Sequence, residues 1–216
     1  MVKLNSTTAI LLDLDGVILD QSYDRKFWQS WLPETVASQT NQDIEKTKRE
    51  IQAKIDKQKG TLNWYDLNYW DDLLDVDCLE IFKKQDEKCA FLNGSLEALR
   101  KLSTLNNPKH ILTNGDPRLQ EYKAEAQKFL KFFDSIFYSM YSGYPKEQKE
   151  FWALAKQNLN LDFKNSIFID DDFKVVTTAI KVGVKKVIWI TPGKERILQN
   201  GIETFQSLED LVNAIT

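Results

Sequence analysis

The segment that decides the fold is Ala9-Ile10-Leu11-Leu12-Asp13-Leu14-Asp15-Gly16. Four consecutive apolar residues followed by carboxylates and a glycine are typical of a buried parallel strand with polar groups at its carboxyl end. In an open α/β sheet, ligands bind beyond the carboxyl ends of the strands. The segment therefore predicts a functional site directly after the first strand.

Further apolar runs and helix-like segments alternate along the rest of the chain. The runs are His110-Ile111-Leu112-Thr113, Ser166-Ile167-Phe168-Ile169 and Lys186-Val187-Ile188-Trp189-Ile190, and the helix-like segments are 95–102, 118–130, 147–159, 173–182 and 207–215. Strands that alternate with helices of this length favour an α/β fold with a parallel sheet and right-handed crossovers.

The region from residue 21 to residue 91 breaks this alternation because it has no clear strand pattern. We interpret it as a helical insert, and residues 1–20 together with 92–216 as the α/β core. The sequence thus predicts two domains, the second inserted directly after the first strand and its carboxylates.

Composition excludes several classes of function. Lysine and arginine number 29 against 32 acidic residues, for a net charge of −3, so no overall positive field exists to hold a nucleic acid polymer. No apolar stretch is long enough for a membrane span. Two cysteines, Cys78 and Cys89, do not suit a disulfide framework, which favours a cytoplasmic protein. One histidine and two cysteines leave little material for a zinc site. The oligomeric state stays open.

Asp13 and Asp15 suit covalent chemistry on phosphorus. A carboxylate such as Asp13 can attack a phosphoryl group and form an aspartyl-phosphate, which divides one difficult displacement into two easier ones. Asp15, one step further on, can protonate the leaving oxygen and later activate water. Its backbone carbonyl is free to face a metal ion.

The ends of the later strands offer complementary groups. Asp170, Asp171 and Asp172 crowd three carboxylates after one strand, which calls for a cation, and hard oxygen ligands beside a phosphate favour Mg²⁺. A second strand ends in three residues that offer donors for phosphate oxygens: Thr113, Asn114 and Gly115. Lys146, after a rigid turn, supplies an ammonium group for the nucleophile and the phosphate.

Taken together, these segments resemble the haloacid-dehalogenase superfamily, whose four motifs match Asp13-Leu14-Asp15-Gly16-Val17, Thr113-Asn114, Lys146 and Asp170-Asp171. The resemblance implies a Rossmann-like core with a C1-type helical cap. It implies catalytic roles for Asp13, Asp15 and Lys146, substrate binding by Thr113, Asn114 and Gly115, and Mg²⁺ ligation by Asp13, Asp15, Asp170 and Asp171. Because dehalogenases of the family lack the Asp15 carboxylate, the resemblance disfavours dehalogenation. Val175 and Val176 stand where many members carry a further acidic residue, so the choice of metal ligand among residues 170–172 stays open.

A narrower resemblance points to a substrate. The strings Phe27-Trp28-Gln29, Leu32-Pro33-Glu34-Thr35, Thr61-Leu62-Asn63-Trp64-Tyr65, Tyr69-Trp70 and Gly143-Tyr144-Pro145-Lys146-Glu147 are similar to bacterial GMP/IMP-type nucleotidases. They imply hydrolysis of a small phosphorylated metabolite, a purine nucleoside 5′-monophosphate. The alternatives are a phosphatase of another metabolite such as a sugar phosphate, a phosphomutase, and a non-catalytic binding module.

Aromatic residues of the insert are the candidates for contact with a purine. Phe27, Trp28, Trp64 and Tyr65 offer flat faces on which a base can stack. The competing interpretation is packing, because a domain of this size must also build its own small core from such residues.

Overall fold

The computed structural model describes residues 4–85, 88–194 and 197–215. These residues form a seven-stranded sheet in the order β3-β2-β1-β4-β5-β7-β6, in which every pair is parallel except β6 with β7. The strands are β1 (Ala9–Leu12), β2 (Lys109–Thr113), β3 (Ser135–Tyr138), β4 (Ser166–Asp170), β5 (Lys186–Ile190), β6 (Leu198–Gln199) and β7 (Ile202–Phe205). The predicted parallel α/β sheet is confirmed.

Helices make up most of residues 22–83, which lie between β1 and β2. They are α1 (Ser22–Lys26), a π-helical turn (Phe27–Trp31), α2 (Leu32–Thr40), α3 (Ile44–Gln58), a 3₁₀ turn (Leu62–Trp64), α4 (Leu67–Leu74) and α5 (Cys78–Lys83). Tyr23, Phe27, Trp70 and Phe82 are among the buried residues that pack together in this region. The division into domains at residues 21 and 91 stays a prediction. The predicted ranges include residues 1–3, 86–87, 195–196 and 216, which lie outside the described residues.

The two chain segments that join this helical region to the sheet lie side by side. The Asp20 amide donates to the Ala90 carbonyl and the Leu92 amide donates to the Ile18 carbonyl, both at 2.9 Å. An isolated antiparallel bridge pairs Leu19 with Phe91 between them. The chain thus leaves the sheet and returns towards it at one place.

The remaining helices are α6 (Ser95–Ser103), α7 (Pro117–Gln127), α8 (Ser139–Ser142), α9 (Lys149–Asn158), α10 (Phe173–Lys181) and α11 (Leu208–Ile215). One hydrophobic cluster joins α6, α7 and α11 to one face of the sheet, and another joins α9 and α10 to the opposite face. Because both faces are covered, all four residues of β1 are buried. Among the described residues, no helix is long and apolar enough to cross a membrane.

Three strands were not predicted from the sequence. β3 and β7 each begin with two partly exposed residues and end with two buried ones, so neither forms a continuous apolar run. β6 has two residues and lies at the sheet edge. The predicted helices are present, with ends that differ from the predicted ones by at most three residues.

Candidate active site

Three central strands deliver polar side chains to one edge of the sheet. Leu12, the last residue of β1, is in register with Ile111 of β2 and Ile169 of β4. Asp13 continues β1, and its amide donates to the Ile169 carbonyl at 2.9 Å. Asp13 and Asp170 therefore lie on neighbouring strands, at the point where the chain order reverses from one half of the sheet to the other.

Lys146 joins these two carboxylates. Its ammonium contacts Asp13 Oδ1 and lies 2.7 Å from Asp170 Oδ2, and its side chain is almost fully buried. Two contacts fix its backbone: the Lys146 amide donates to Asn114 Oδ1 at 2.8 Å, and Trp152 Nε1 donates to the Lys146 carbonyl at 2.7 Å. The ammonium is thus held between the candidate nucleophile and the end of β4.

Burial dominates the electrostatics of this cluster. It raises the pKa of Asp13 to about 7 and that of Asp170 to about 6, against the pull of the Lys146 ammonium. Burial acts to lower the pKa of Lys146, but the Asp13 and Asp170 carboxylates outweigh it and keep that pKa above its ordinary value. One ammonium therefore pairs with two buried carboxylates, and a further positive charge would stabilise their ionised forms.

A divalent cation fits this arrangement. Carboxylate oxygens of Asp13, Asp170 and Asp171 all lie within 4.8 Å of one another. Burial, followed by the charge of Asp13, raises the pKa of Asp171 to about 7, because three carboxylates crowd one place. A set of hard oxygen donors of this kind suits Mg²⁺ better than a soft metal.

Asp172 has a different role from its two neighbours. Its side chain caps α10 by accepting hydrogen bonds from the amides of Lys174 and Val175, at 2.7 and 3.0 Å. Val175 and Val176, where the family resemblance implies a further acidic residue, are buried apolar residues that contribute to packing in this chain.

Asp15 lies beside the cluster of Asp13, Asp170 and Asp171 and has hydrogen-bond partners of its own. Gln120 Nε2 lies 2.7 Å from Asp15 Oδ2, and the Lys123 ammonium lies 2.8 Å from Asp15 Oδ1. The Asp15 carbonyl accepts a hydrogen bond from Gln21 Nε2, which also donates to Asp171 Oδ2, at 2.8 and 3.2 Å. The predicted acid/base residue is thus held through both carboxylate oxygens.

The predicted phosphate ligands lie at the end of β2, but one needs correction. Thr113 and Gly115 line the same cleft as Asp13, and Thr113 Oγ1 accepts from the Gly115 amide at 3.2 Å. The Asn114 side chain is occupied: Oδ1 accepts from Lys146, and Nδ2 donates to Glu147 Oε2 at 3.0 Å. Its side chain therefore holds the lysine segment, and only the backbone of Asn114 remains as a candidate phosphate donor.

The cleft has a volume of about 540 Å³ and lies between the sheet edge and the helical region. Trp28, Trp64 and Tyr65 line it, so their contact with a substrate stays a prediction. Phe27 does not, which corrects its predicted contact: it is 1% exposed, and its ring packs on Phe82 in the core of the helical region. Because Phe27 follows the periodicity of a buried helix face, it builds the core of this region instead.

Several site residues were missed in the sequence. They are Gln21 and Asp24 at the start of the helical region, Asp116, Gln120 and Lys123 in or next to α7, and Glu147 after the lysine. A signal existed for the second group, because intervals of four and three residues place Asp116, Gln120 and Lys123 on one helix face. Glu147 has no such pattern. It accepts hydrogen bonds from Asn114 and, at 3.1 Å, from the Tyr65 hydroxyl, so it links the end of β2 to the helical region.

Comparison with known proteins agrees with this geometry. A model of the haloacid dehalogenase-like hydrolase family matches residues 7–183. The chain belongs to this family. As a haloacid dehalogenase-like hydrolase it is an enzyme, and the predicted family and hydrolase class are confirmed.

Relatives of this haloacid dehalogenase-like hydrolase include the GMP/IMP nucleotidase YrfG of Escherichia coli (strain K12), which is 25% identical over 201 residues. That match covers 93% of this chain and 90% of YrfG. A HAD phosphatase from Thermococcus onnurineus superposes with a TM-score of 0.82 at 18% identity, over 96% of this chain and 97% of the other. CbbY from Rhodobacter sphaeroides, crystallised with phosphate, gives a TM-score of 0.68 at 15% identity, over 95% and 96%. These superpositions establish a shared fold.

Proposed function

We propose that this hydrolase is a Mg²⁺-dependent phosphomonoesterase that acts on purine nucleoside 5′-monophosphates through an aspartyl-phosphate intermediate. The observation that carries the proposal is the cluster of Asp13, Lys146, Asp170 and Asp171 at the strand ends, beneath a cleft lined by aromatic residues. The site roles assigned below, and the use of residues 21–91 as a lid, belong to the same proposal.

In the first step, an Asp13 carboxylate oxygen attacks phosphorus and the bond from phosphorus to the leaving oxygen breaks. Asp15 gives its proton to that oxygen. In the second step, Asp15 takes a proton from water, the water oxygen bonds to phosphorus, and the Asp13–phosphate bond breaks to release inorganic phosphate. Thr113 Oγ1 and the backbone amides that follow it bind the phosphate oxygens.

Lys146 holds Asp13 in place and offers positive charge to the phosphoryl group. Asp13, Asp170 and Asp171 would hold the metal ion, and the Asp15 carbonyl would join them in place of its present hydrogen bond from Gln21 Nε2. When bound, Mg²⁺ supplies charge neutralisation for the phosphate oxygens and for the crowded carboxylates. Burial, followed by the crowding of like charges, raises the pKa values of Asp13, Asp170 and Asp171, and this supports the proposal because a bound cation would stabilise their ionised forms.

Two observations support the nucleotide. The walls that face the catalytic residues include the side chains of Trp28, Trp64 and Tyr65, and a purine stacks well on such surfaces. YrfG, the relative described above, is named a GMP/IMP nucleotidase. The cleft volume of about 540 Å³ lies in the range of small-molecule sites.

The test is phosphate release with Mg²⁺ from GMP, IMP, AMP, ribose 5-phosphate and glucose 6-phosphate. We expect kcat/KM for GMP or IMP to exceed that for the sugar phosphates by about tenfold or more, which is the contribution of one well-placed aromatic contact. Faster hydrolysis of the sugar phosphates would contradict the nucleotide assignment and leave the phosphatase assignment standing.

Trp64→Leu and Trp31→Leu separate stacking from packing. Trp64 lines the cleft, whereas Trp31 packs on Tyr23 away from it. We expect Trp64→Leu to raise KM for GMP about tenfold while KM for ribose 5-phosphate changes little. Trp31→Leu should leave both KM values near those of the wild type. Equal effects of the two substitutions would contradict base stacking by Trp64.

Asp13→Asn tests the covalent mechanism. The amide keeps the shape of the side chain but cannot attack phosphorus, so we expect a loss of turnover on the order of 10⁴-fold or more. Phosphoenzyme trapped by acid quench should be present in the wild type and absent from the variant. Phosphate release at the wild-type rate by Asp13→Asn would contradict the mechanism.

A further inference from the structure

Helix α7 buries two polar side chains to which the proposed mechanism assigns no contact with the metal ion or the phosphate. Gln120 and Lys123 are each 1% exposed, and they lie one turn apart on the same face of the helix. Burial of a lysine is costly unless its charge is paired, so the position of Lys123 needs an explanation.

The Lys123 ammonium bridges two carboxylates from different parts of the molecule. It lies 2.8 Å from Asp15 Oδ1, beyond β1, and 2.7 Å from Asp24 Oδ1, in helix α1. Gln120 Nε2 holds the other Asp15 oxygen at 2.7 Å. Asp15 therefore receives both of its side-chain partners from α7, and one of them is shared with the helical region.

A second buried lysine, Lys109, has partners of a different kind. Lys109 is 8% exposed, and its ammonium donates to two backbone carbonyls, those of Leu105 and Asn107, both at 2.7 Å. Lys109 thus fastens a loop, whereas Lys123 fastens the side chain of the proposed acid/base. Buried ion pairs often contribute little to stability compared with apolar residues of the same size, so folding alone does not explain Lys123.

We propose that Lys123 is a positioning residue for Asp15, and that its second bond, to Asp24, makes the placement of Asp15 depend on the position of the helical region. This inference rests on the proposed function, in which Asp15 transfers protons. With Lys123 bound to both carboxylates, Asp15 is held in one place beside Asp13. When the helical region moves away, Asp24 leaves and Lys123 loses one of the two charges that fix it.

The leaving group provides a readout that a purely structural role would not give. An alkoxide, such as the 5′-oxygen of a nucleoside, needs a proton from Asp15 as its bond to phosphorus breaks. The p-nitrophenolate ion is stable without a proton. A misplaced Asp15 should therefore slow phosphoryl transfer from a nucleotide much more than transfer from p-nitrophenyl phosphate.

The experiment compares Lys123→Met with the wild type, Lys123→Arg and Lys109→Met on both substrates. We expect Lys123→Met to lower kcat for the nucleotide about 100-fold with KM within about threefold of the wild type. The pre-steady-state burst of p-nitrophenolate should slow by less than about fivefold. Lys123→Arg should restore most of the nucleotide turnover, and Lys109→Met should lower the melting temperature without selecting between leaving groups.

Asp24→Asn keeps the test decisive if Lys123→Met folds poorly, because it preserves shape and leaves Lys123 in place. It should lower nucleotide turnover and spare the burst, to a smaller degree than Lys123→Met. Equal losses on both substrates, or no loss on either, in folded Lys123→Met or in Asp24→Asn would overturn the inference. Failure of the proposed function differs visibly: the wild type itself would hydrolyse neither phosphoester. If the wild type prefers a sugar phosphate, that substrate replaces the nucleotide and the comparison is unchanged.

Discussion

Gly16 follows the two carboxylates of the first motif in a conformation that few other residues adopt. Its φ is +98°, and a Cβ atom there would collide with the Asp171 carboxylate and the Gln21 amide. Gly183, at φ +95°, has the same backbone demand but open space around it. Substitutions at the two glycines therefore distinguish the free-energy cost of a left-handed backbone from the cost of a steric clash with Asp171 and Gln21.

We expect Gly16→Ala and Gly183→Ala each to lower the free energy of unfolding by about 1–2 kcal/mol, from the left-handed conformation. Only Gly16→Ala should also displace Asp171 and weaken Mg²⁺ binding about tenfold or more, measured by titration calorimetry. The same Mg²⁺ affinity in both variants would show that the Asp171 side chain adapts without cost.

His110, the one histidine of the chain, offers a direct pH probe. Its Nδ1 lies 2.7 Å from Ser135 Oγ, and burial lowers its pKa below the ordinary 6.5. The unfolded chain then binds the proton more readily, so the stability associated with neutral His110 is present above pH 6.5 and is lost as pH falls below that value.

An NMR titration of the His110 ring protons should give a midpoint below 6.5. In His110→Gln, the loss of unfolding free energy below pH 6.5 should be smaller than in the wild type, because no ring remains to take up the proton. A midpoint above 6.5 would contradict the prediction.

At the scale of elements, Asp116 connects two helices. Its side chain caps α7 by accepting from the Arg118 amide at 2.9 Å, and it also accepts from the Leu67 amide at the start of α4, at 3.0 Å. Asp43 caps α3 through the Lys46 amide alone, at 2.8 Å, and is exposed. Both residues cap a helix, but only Asp116 also accepts a hydrogen bond from the first backbone amide of a second helix, and that contact is buried.

Asp43→Ala should cost about 1 kcal/mol of unfolding free energy, the usual value of a lost cap. Asp116→Ala should cost about 1–3 kcal/mol more, because it also leaves the buried Leu67 amide without its acceptor. Chemical denaturation of the two variants measures the difference. Equal costs would mean that the Leu67 amide finds another partner.

The sequence was informative wherever one local pattern determined the outcome. Ala9–Leu12 forms a buried strand because four apolar residues need cover on both faces, and Asp13 must then follow at its end. Helix spacing places Lys123 on one face with Gln120, but it could not identify the partners of Lys123, because Asp15 and Asp24 lie 108 and 99 residues away along the chain. Phe27 and Trp28 are neighbours in sequence, yet only Trp28 lines the cleft, since adjacent residues of a helical turn point in different directions.

For the molecule as a whole, Mg²⁺ should act as a stabilising ligand. An ion that binds only the folded state raises the free energy of unfolding by mass action, and at a large excess over the dissociation constant we expect the melting temperature to rise by about 5 °C. Asp171→Asn should abolish the rise. Asp172→Ala should lower the starting temperature by removing the cap of α10 but keep the response to Mg²⁺. If Asp172→Ala lost the response and Asp171→Asn kept it, the metal would lie elsewhere.

The hydrogen bond from Asp20 to Ala90 has a consequence for how such a molecule can change over time. Since the two ends of the helical region meet, a short loop suffices to close the gap, and the entropy of closing it is small. Apart from Gln21 and Asp24, whose side chains contact Asp171 and Lys123, the stretch between them can be lengthened, trimmed or exchanged without altering the register of any strand. Substrate preference can therefore change within one interval of the chain, while Asp13, Lys146 and the carboxylates at the strand ends stay as they are.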